Sequence, residues 1–142
     1  MEGACLRLVV NPQQPTTLLA VFLLLLVAAA VAPPHVLAAD HVVGGSIWSI
    51  PPRPGLYRAW ADNRTFVAGD NLVFRFETGM YNVVQVGRRE FDDCTADDPY
   101  RDWTDGPAVV TLGSAAVRYF ICTVGNYCSL GVKVYVASQN AP

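Results

Sequence analysis

Four cysteines, two histidines and two methionines are the soft and borderline metal donors of this 142-residue chain. A thiolate and two imidazoles in a near-trigonal plane, with a weak axial donor, form the site that holds a redox-active copper ion. Thiols for such a site exist, since Cys94, Cys122 and Cys128 all lie in the second half. Imidazoles do not suffice: His35 closes an apolar leader, and His41 alone follows it. Met80 is the only methionine after Met1. Tyr81 adjoins Met80 and Tyr127 adjoins Cys128, but a phenol with pKa about 10 is neutral near neutral pH and a poor copper ligand. Two imidazoles cannot come from one histidine.

Other chemistries find less to work with. No serine carries an accompanying histidine motif, and no phosphate-cradling glycine loop or zinc-ligand spacing occurs. An enzyme is therefore not expected. Asp92, Asp93, Asp97, Asp98, Asp102 and Asp105 offer oxygen donors on an expected loop, yet their spacing fits no calcium loop and reads as a solvated acidic surface. Asn63-Arg64-Thr65 is an N-glycosylation sequon, placed by its flanks in a turn between two strands. If a leader is cut after Ala38, Ala39-Asp40-His41 becomes an amino-terminal copper chelator; otherwise His41 is a strand-end residue with no metal role.

The leader itself is plain. Leu18 to Ala32 are fifteen uncharged apolar residues, preceded by Arg7 and closed by Pro33-Pro34 and the small residues of Val36-Leu37-Ala38-Ala39. A membrane span needs roughly 20 residues. The pattern is that of a secretory signal peptide over residues 1–39, leaving a domain at 40–142. Losing Arg7 and Glu2 leaves nine basic and eleven acidic side chains. Such scattered charge gives no field for nucleic acid. Cys5 departs with the leader, so three cysteines remain in an oxidising compartment, with one bridge, one leftover thiol and three possible pairings.

The elements that position these groups are short. Expected strands are 41–43, 56–60, 71–76, 82–86, 108–112, 117–122 and 132–136, with a helical turn at 89–94. Leu72, Phe74 and Phe76 alternate with Arg75 and Glu77, and Val132, Val134 and Val136 share one face. Gly44-Gly45, Pro51 to Gly55, Ala68-Gly69-Asp70 and Asp105-Gly106-Pro107 supply turns. Seven short strands read as an all-β antiparallel sandwich or barrel of one domain. The sequence ends six residues past the last expected strand, with neither a Pro/Ser-rich stalk nor an apolar tail, so no glycolipid anchor signal is expected.

The order of these blocks resembles the phytocyanins, the plant cupredoxins. The likeness rests on Val42-Val43-Gly44-Gly45 with Trp48, Tyr57-Arg58-Ala59-Trp60, and Thr65 to Phe74. It continues through Tyr81 to Val86, Phe91 to Cys94, Asp105-Gly106-Pro107, Tyr119 to Cys122 and Tyr127 to Lys133. What it implies is a cupredoxin-like Greek-key β-sandwich with a Cys94–Cys128 bridge, Cys122 being the odd thiol. It also implies where copper ligands would stand: the first imidazole at Tyr81, the thiolate at Cys122, the second imidazole at Tyr127 and the axial donor at Val132. One ligand of four is kept, so no cofactor is expected. The resemblance implies a secreted, monomeric, plantacyanin- or early nodulin-like protein recognising an extracellular or cell-wall protein or carbohydrate. The alternative is a blue-copper electron carrier. No transmembrane segment is expected once the leader is removed.

Overall fold

The computed structural model describes residues 14–30 and 37–142. Two units are distinguished, Met1–His35 and Val36–Pro142, and each is taken by itself. In the first, α1 (Gln14–Ala30) runs for 17 residues, with Pro15 in its first turn, where a missing N–H is no loss. Among the described residues, no helix is long and apolar enough to cross a membrane. Arg7 and Pro33-Pro34, the charged and closing parts of the expected leader, lie outside the described residues.

The second unit is a two-sheet sandwich. Its strands are β1 (Asp40–Val42), β2 (Phe66–Val67), β3 (Asn71–Phe74), β4 (Val83–Val86), β5 (Arg101–Trp103), β6 (Ala108–Thr111), β7 (Ala116–Ile121) and β8 (Lys133–Gln139). The smaller sheet has the order β1-β3-β6 and the larger β2-β8-β7-β4-β5. Two of the six pairings, β1 with β3 and β2 with β8, are parallel, so the sheets are mixed where antiparallel ones were expected. Period-two alternation sends Leu72 and Phe74 of β3, Ala108 and Val110 of β6, and Val134 and Val136 of β8 into one core. Trp48, Phe74 and Phe120 form its centre, with ring centroids 5.0 Å and 5.3 Å apart. Such aromatic pairs contribute about 0.5–1.5 kcal/mol each beyond area burial.

One expected strand is a helix. Leu56–Asp62 forms α2, not an extended segment. Tyr57, Trp60 and Ala61 are its buried residues, a spacing of three and four that turns one helical face inward. Asn63 is consequently at the end of a helix rather than between two strands, and its side-chain amide donates to the Ala59 carbonyl at 2.9 Å. The expected helical turn is α3 (Arg88–Asp93). It takes Asp92 and Asp93 out of the acidic loop, as β5 takes Asp102. Arg88 and Arg89 lie 3.8 Å from Asp92 and Asp93 respectively, one helical turn on. β2 and β5, of two and three residues, are too short to leave a periodic signature.

Two glycines act by what they lack. A Cβ on Gly44, whose φ is +74°, would stand 2.6 Å from Cε1 of Tyr57. A Cβ on Gly106 would overlap the Phe76 carbonyl. On the outer face of the larger sheet, Val84, Val86, Ile121 and Cys128 make a second apolar cluster packed by Phe91, Cys94, Ala96 and Tyr119. Cys94 and Cys128 are bridged there, across 34 residues, with their Cα atoms 5.7 Å apart. Of the pairings the sequence left open, this one forms, and Cys122 is the free thiol.

Closing a loop of that length stabilises the fold by about 3–4 kcal/mol in the chain-entropy account. Replacing both Cys94 and Cys128 by Ala should lower the unfolding free energy by about that amount. Urea denaturation monitored by tryptophan fluorescence measures it, and an unchanged midpoint would rule the account out.

Candidate functional site

One end of the sandwich is held together by polar contacts between two loops. The Asn82 side chain donates to the Thr123 hydroxyl at 2.7 Å and accepts from the Thr123 N–H at 2.8 Å. Its carbonyl accepts at 2.9 Å from Nε1 of Trp48, a residue with no exposed surface. This clamp fixes the segment entering β4 against the segment leaving β7. The second loop is then knotted by its own backbone. Cys122 N–H donates to Val132 at 3.0 Å, Val132 N–H to Tyr127 at 3.0 Å, and Tyr127 N–H to Val124 at 3.1 Å.

The positions singled out from the sequence come together here. Cys122 and Val132 are fully buried, and Tyr81 and Tyr127 are half-buried against the same core. The two phenol rings pair across the loops, with centroids 5.2 Å apart and planes tilted by 41°. One thiol, two phenols and one isopropyl group therefore occupy the places that the resemblance assigns to thiolate, two imidazoles and axial donor. That set does not fit a type 1 copper ion, which takes two neutral imidazoles beside its thiolate. Among the described residues, no three His, Cys, Asp or Glu side chains stand close enough to share a metal ion.

Comparison with known proteins now has a geometry to meet. A plastocyanin-like domain family matches residues 48–132. The chain belongs to the phytocyanin family. A blue copper protein of Arabidopsis thaliana is 37% identical over 102 residues, which are 71% of this chain and 52% of that protein. The chain thus spans about half the length of that relative. Cucumber peeling cupredoxin, from Cucumis sativus, is 36% identical over 106 residues, 71% of this chain and 77% of its own. The structure of cucumber stellacyanin with Cu2+ superposes with a TM-score of 0.67 at 33% identity, covering 74% of this chain and 98% of that one. The cupredoxin-like sandwich expected from the phytocyanin blocks is thereby the fold of this chain.

Three structural roles in this phytocyanin were not read from the sequence. The first is the Asn82–Thr123 clamp, which joins residues 41 positions apart and leaves no local signal. The second is Tyr57. Its hydroxyl donates to the Ser49 carbonyl at 2.7 Å and accepts from the Ser49 N–H at 2.9 Å. Burial pushes its pKa up to about 12, against the lowering effect of its hydrogen bond with Ser49.

The third is Asp70, one of two buried polar residues in the domain and read above only as a turn residue. Its carboxylate accepts from the Ala39 N–H at 2.9 Å, from the Val67 N–H at 3.0 Å and from Nε2 of His41 at 2.9 Å. His41 engages the Asp70 carboxylate through Nε2 and pairs with Leu72 in the β1–β3 ladder. Burial raises the Asp70 pKa, but the hydrogen bonds from Ala39, His41 and Val67 outweigh it and hold the carboxyl below its ordinary value.

A carboxyl with a depressed folded-state pKa contributes stability above its unfolded value of about 3.9, and loses it as pH falls through the folded value. Asp70→Asn should cost about 1–3 kcal/mol at neutral pH and flatten the loss of stability between about pH 4 and acid. Urea midpoints across that range test this, and a variant that keeps the wild-type acid slope would place the titration elsewhere.

Proposed function

We propose that this phytocyanin is secreted, carries no type 1 copper, and acts as a monomeric, non-catalytic recognition protein outside the cell or in the wall. The observation that carries this reading is the Tyr81–Tyr127 pair, with rings 5.2 Å apart over the core that contains the Cys122 thiol. Phenols in both imidazole places fill the volume of the ligand side chains without supplying the two imidazoles that a type 1 copper ion takes. His41, the one imidazole after the leader, is engaged by Asp70 at 2.9 Å. A half-buried aromatic pair joins an apolar face to polar hydroxyls, and this combination suits recognition of a sugar face or a partner side chain.

Copper reconstitution is the direct test. Purified protein given copper(II) should develop no intense thiolate-to-copper colour, and a stable blue complex would overturn the reading. A triple variant, Tyr81→His with Tyr127→His and Val132→Met, should gain that colour because the thiol and both loops are in place. If the folded triple variant stays colourless, the ligand positions are misassigned.

Secretion is supported by the leader pattern and by one contact in the domain. Ala39 N–H donates to Asp70 at 2.9 Å. Cleavage after Ala38 turns that donor into an α-ammonium facing a carboxylate, a stronger, charge-assisted bond; cleavage after Ala39 deletes it. Asn63 is exposed at the end of α2 and open to glycosylation. The secreted protein should lack the leader, beginning at Asp40 or one residue before it, and carry an N-glycan on Asn63. Intact-mass and peptide mapping before and after glycosidase treatment read both, and an unprocessed leader or bare Asn63 would refute the respective assignment.

A further inference from the structure

The open side of the sandwich carries charge on faces that elsewhere carry core residues. Period-two alternation puts Gln85 on the face of Val83, Arg101 on that of Trp103 and Arg118 on that of Phe120. Val83 and Phe120 belong to the core between the sheets and Trp103 packs against it, so all three polar residues stand on the inner face of the larger sheet. There, with Trp103, they line a hollow of about 360 Å³ that Val110 and Thr111 of β6 close from the smaller sheet. β5 and β6 are edge strands of their sheets, so the hollow opens between two edges.

Arg101 and Arg118 are its charged residues, and no acidic side chain is among the described residues that line it. Asp102 alternates to the opposite face of β5. Elsewhere Arg58, Arg88 and Arg89 each have a carboxylate one helical turn on. Arg118 is half-buried and gripped from one side. Its Nη1 donates to the Ser114 carbonyl at 3.0 Å and to the Ser138 hydroxyl at 3.1 Å, and its Nη2 donates to the Ser114 hydroxyl at 3.1 Å. The N–H groups left, on Nε and Nη2, make up one edge of the guanidinium, the fork that takes two oxygens of an oxyanion. Arg101 makes no hydrogen bond or ion pair among the described residues, and its guanidinium lies 5.1 Å from the centre of the Trp103 ring. Gln85, on the strand between them, adds a half-buried amide that also has no hydrogen-bond partner among the described residues.

We propose that this hollow binds a tetrahedral oxyanion, a phosphate or sulfate group. The Arg118 fork takes two of its oxygens, the Gln85 amide takes a third, and Arg101 supplies a second positive charge from the β5 side. A carboxylate has two oxygens, both taken up by the fork, which leaves Gln85 and Arg101 without a partner. A tetrahedral dianion has further oxygens for them and a charge that matches two guanidinium groups. Two cations are too few for a nucleic acid, whose binding spreads over many phosphate contacts. Ser114 and Ser138 fix the guanidinium before a ligand arrives, which lowers the entropic cost of binding. Inward cations also discourage edge-to-edge pairing of sheets, but that role needs charge alone, and lysine would serve it as well as arginine. The site lies on a different face from the Tyr81–Tyr127 pair and does not rest on the function proposed above.

The test is an NMR titration of the isotope-labelled secreted protein at constant ionic strength. Inorganic phosphate, sulfate, a hexose phosphate, acetate and chloride are the probes. Phosphate and sulfate should give saturable shifts at residues 114–118, Gln85 and Arg101, with acetate and chloride binding at least about tenfold more weakly. Tighter binding of the hexose phosphate than of inorganic phosphate assigns the group to an organic ester, and the reverse order assigns it to the free ion; either upholds the site. Arg101→Gln, which breaks no hydrogen bond, should lower affinity by about tenfold at unchanged melting temperature. Arg118→Lys keeps the charge, loses the fork and should weaken binding by a similar factor. Arg53→Gln, the same loss of charge at an exposed position outside the hollow, should leave affinity unchanged. Absence of saturation by both tetrahedral ions, equal binding of acetate, or full affinity in Arg101→Gln or in Arg118→Lys would each overturn the proposal and leave the two cations as guards of the sheet edges. None of these outcomes bears on copper, which is decided by colour at Cys122.

Discussion

The end of the sandwich that holds Cys122 depends on one polar contact, the two-way bond between Asn82 and Thr123 at 2.7 Å and 2.8 Å. It extends the β4–β7 pairing two residues past Val84 and Ile121 by side-chain bonds, and the fully buried Trp48 anchors it from the core side through its indole N–H. A typical hydrogen bond has a net value of only about 0.5–1.5 kcal/mol, but losing a buried partner costs the full desolvation of the group left behind. Trp48 supplies such a group. Its indole cannot turn elsewhere, because Tyr57 and Phe74 pack on it at 4.8 Å and 5.0 Å.

No atom of that contact is a copper ligand in the phytocyanin arrangement, and this has a physical consequence. The protein's own contacts therefore set the geometry of these loops. Across them the Tyr81 and Tyr127 rings pair, and Val132 is fully buried in the core against which both rings pack.

How much of this was legible follows from the range of each interaction. Strands β3, β6 and β8 were legible because each shows a period of two with one face buried, whereas β7 was placed without such alternation in its burial. The segment 56–60 was misread because Tyr57 and Trp60 are strand-favouring by type, whereas the decisive pattern is the burial of Tyr57, Trp60 and Ala61 along one helical face. The four site positions converge as the resemblance implied. The long-range polar contacts were illegible: the Asn82–Thr123 clamp beside the site spans 41 residues, and the Ala39 and His41 bonds to Asp70, near the other end of β8, span 31 and 29. A turn aspartate that accepts three hydrogen bonds looks, in one dimension, like any other turn aspartate.

The blocks that carry the family likeness are, in space, packing blocks. Gly44 makes room for the Tyr57 ring, Tyr57 stacks on Trp48, Trp48 reaches Asn82, and Gly106 admits the Phe76 backbone. Each identity in these blocks preserves a close approach that a different side chain would break, at a cost comparable to overpacking a core, about 1–3 kcal/mol. The ligand positions obey another rule. Tyr81 and Tyr127 stand half-exposed at the rim, where a ring can be exchanged for a ring without disturbing the layers below. Family membership here is therefore a statement about the frame, fixed by dense packing. Of the four positions where the resemblance places metal ligands, Cys122 and Val132 lie in the core and two lie half-exposed, and this chain holds phenols at the latter two.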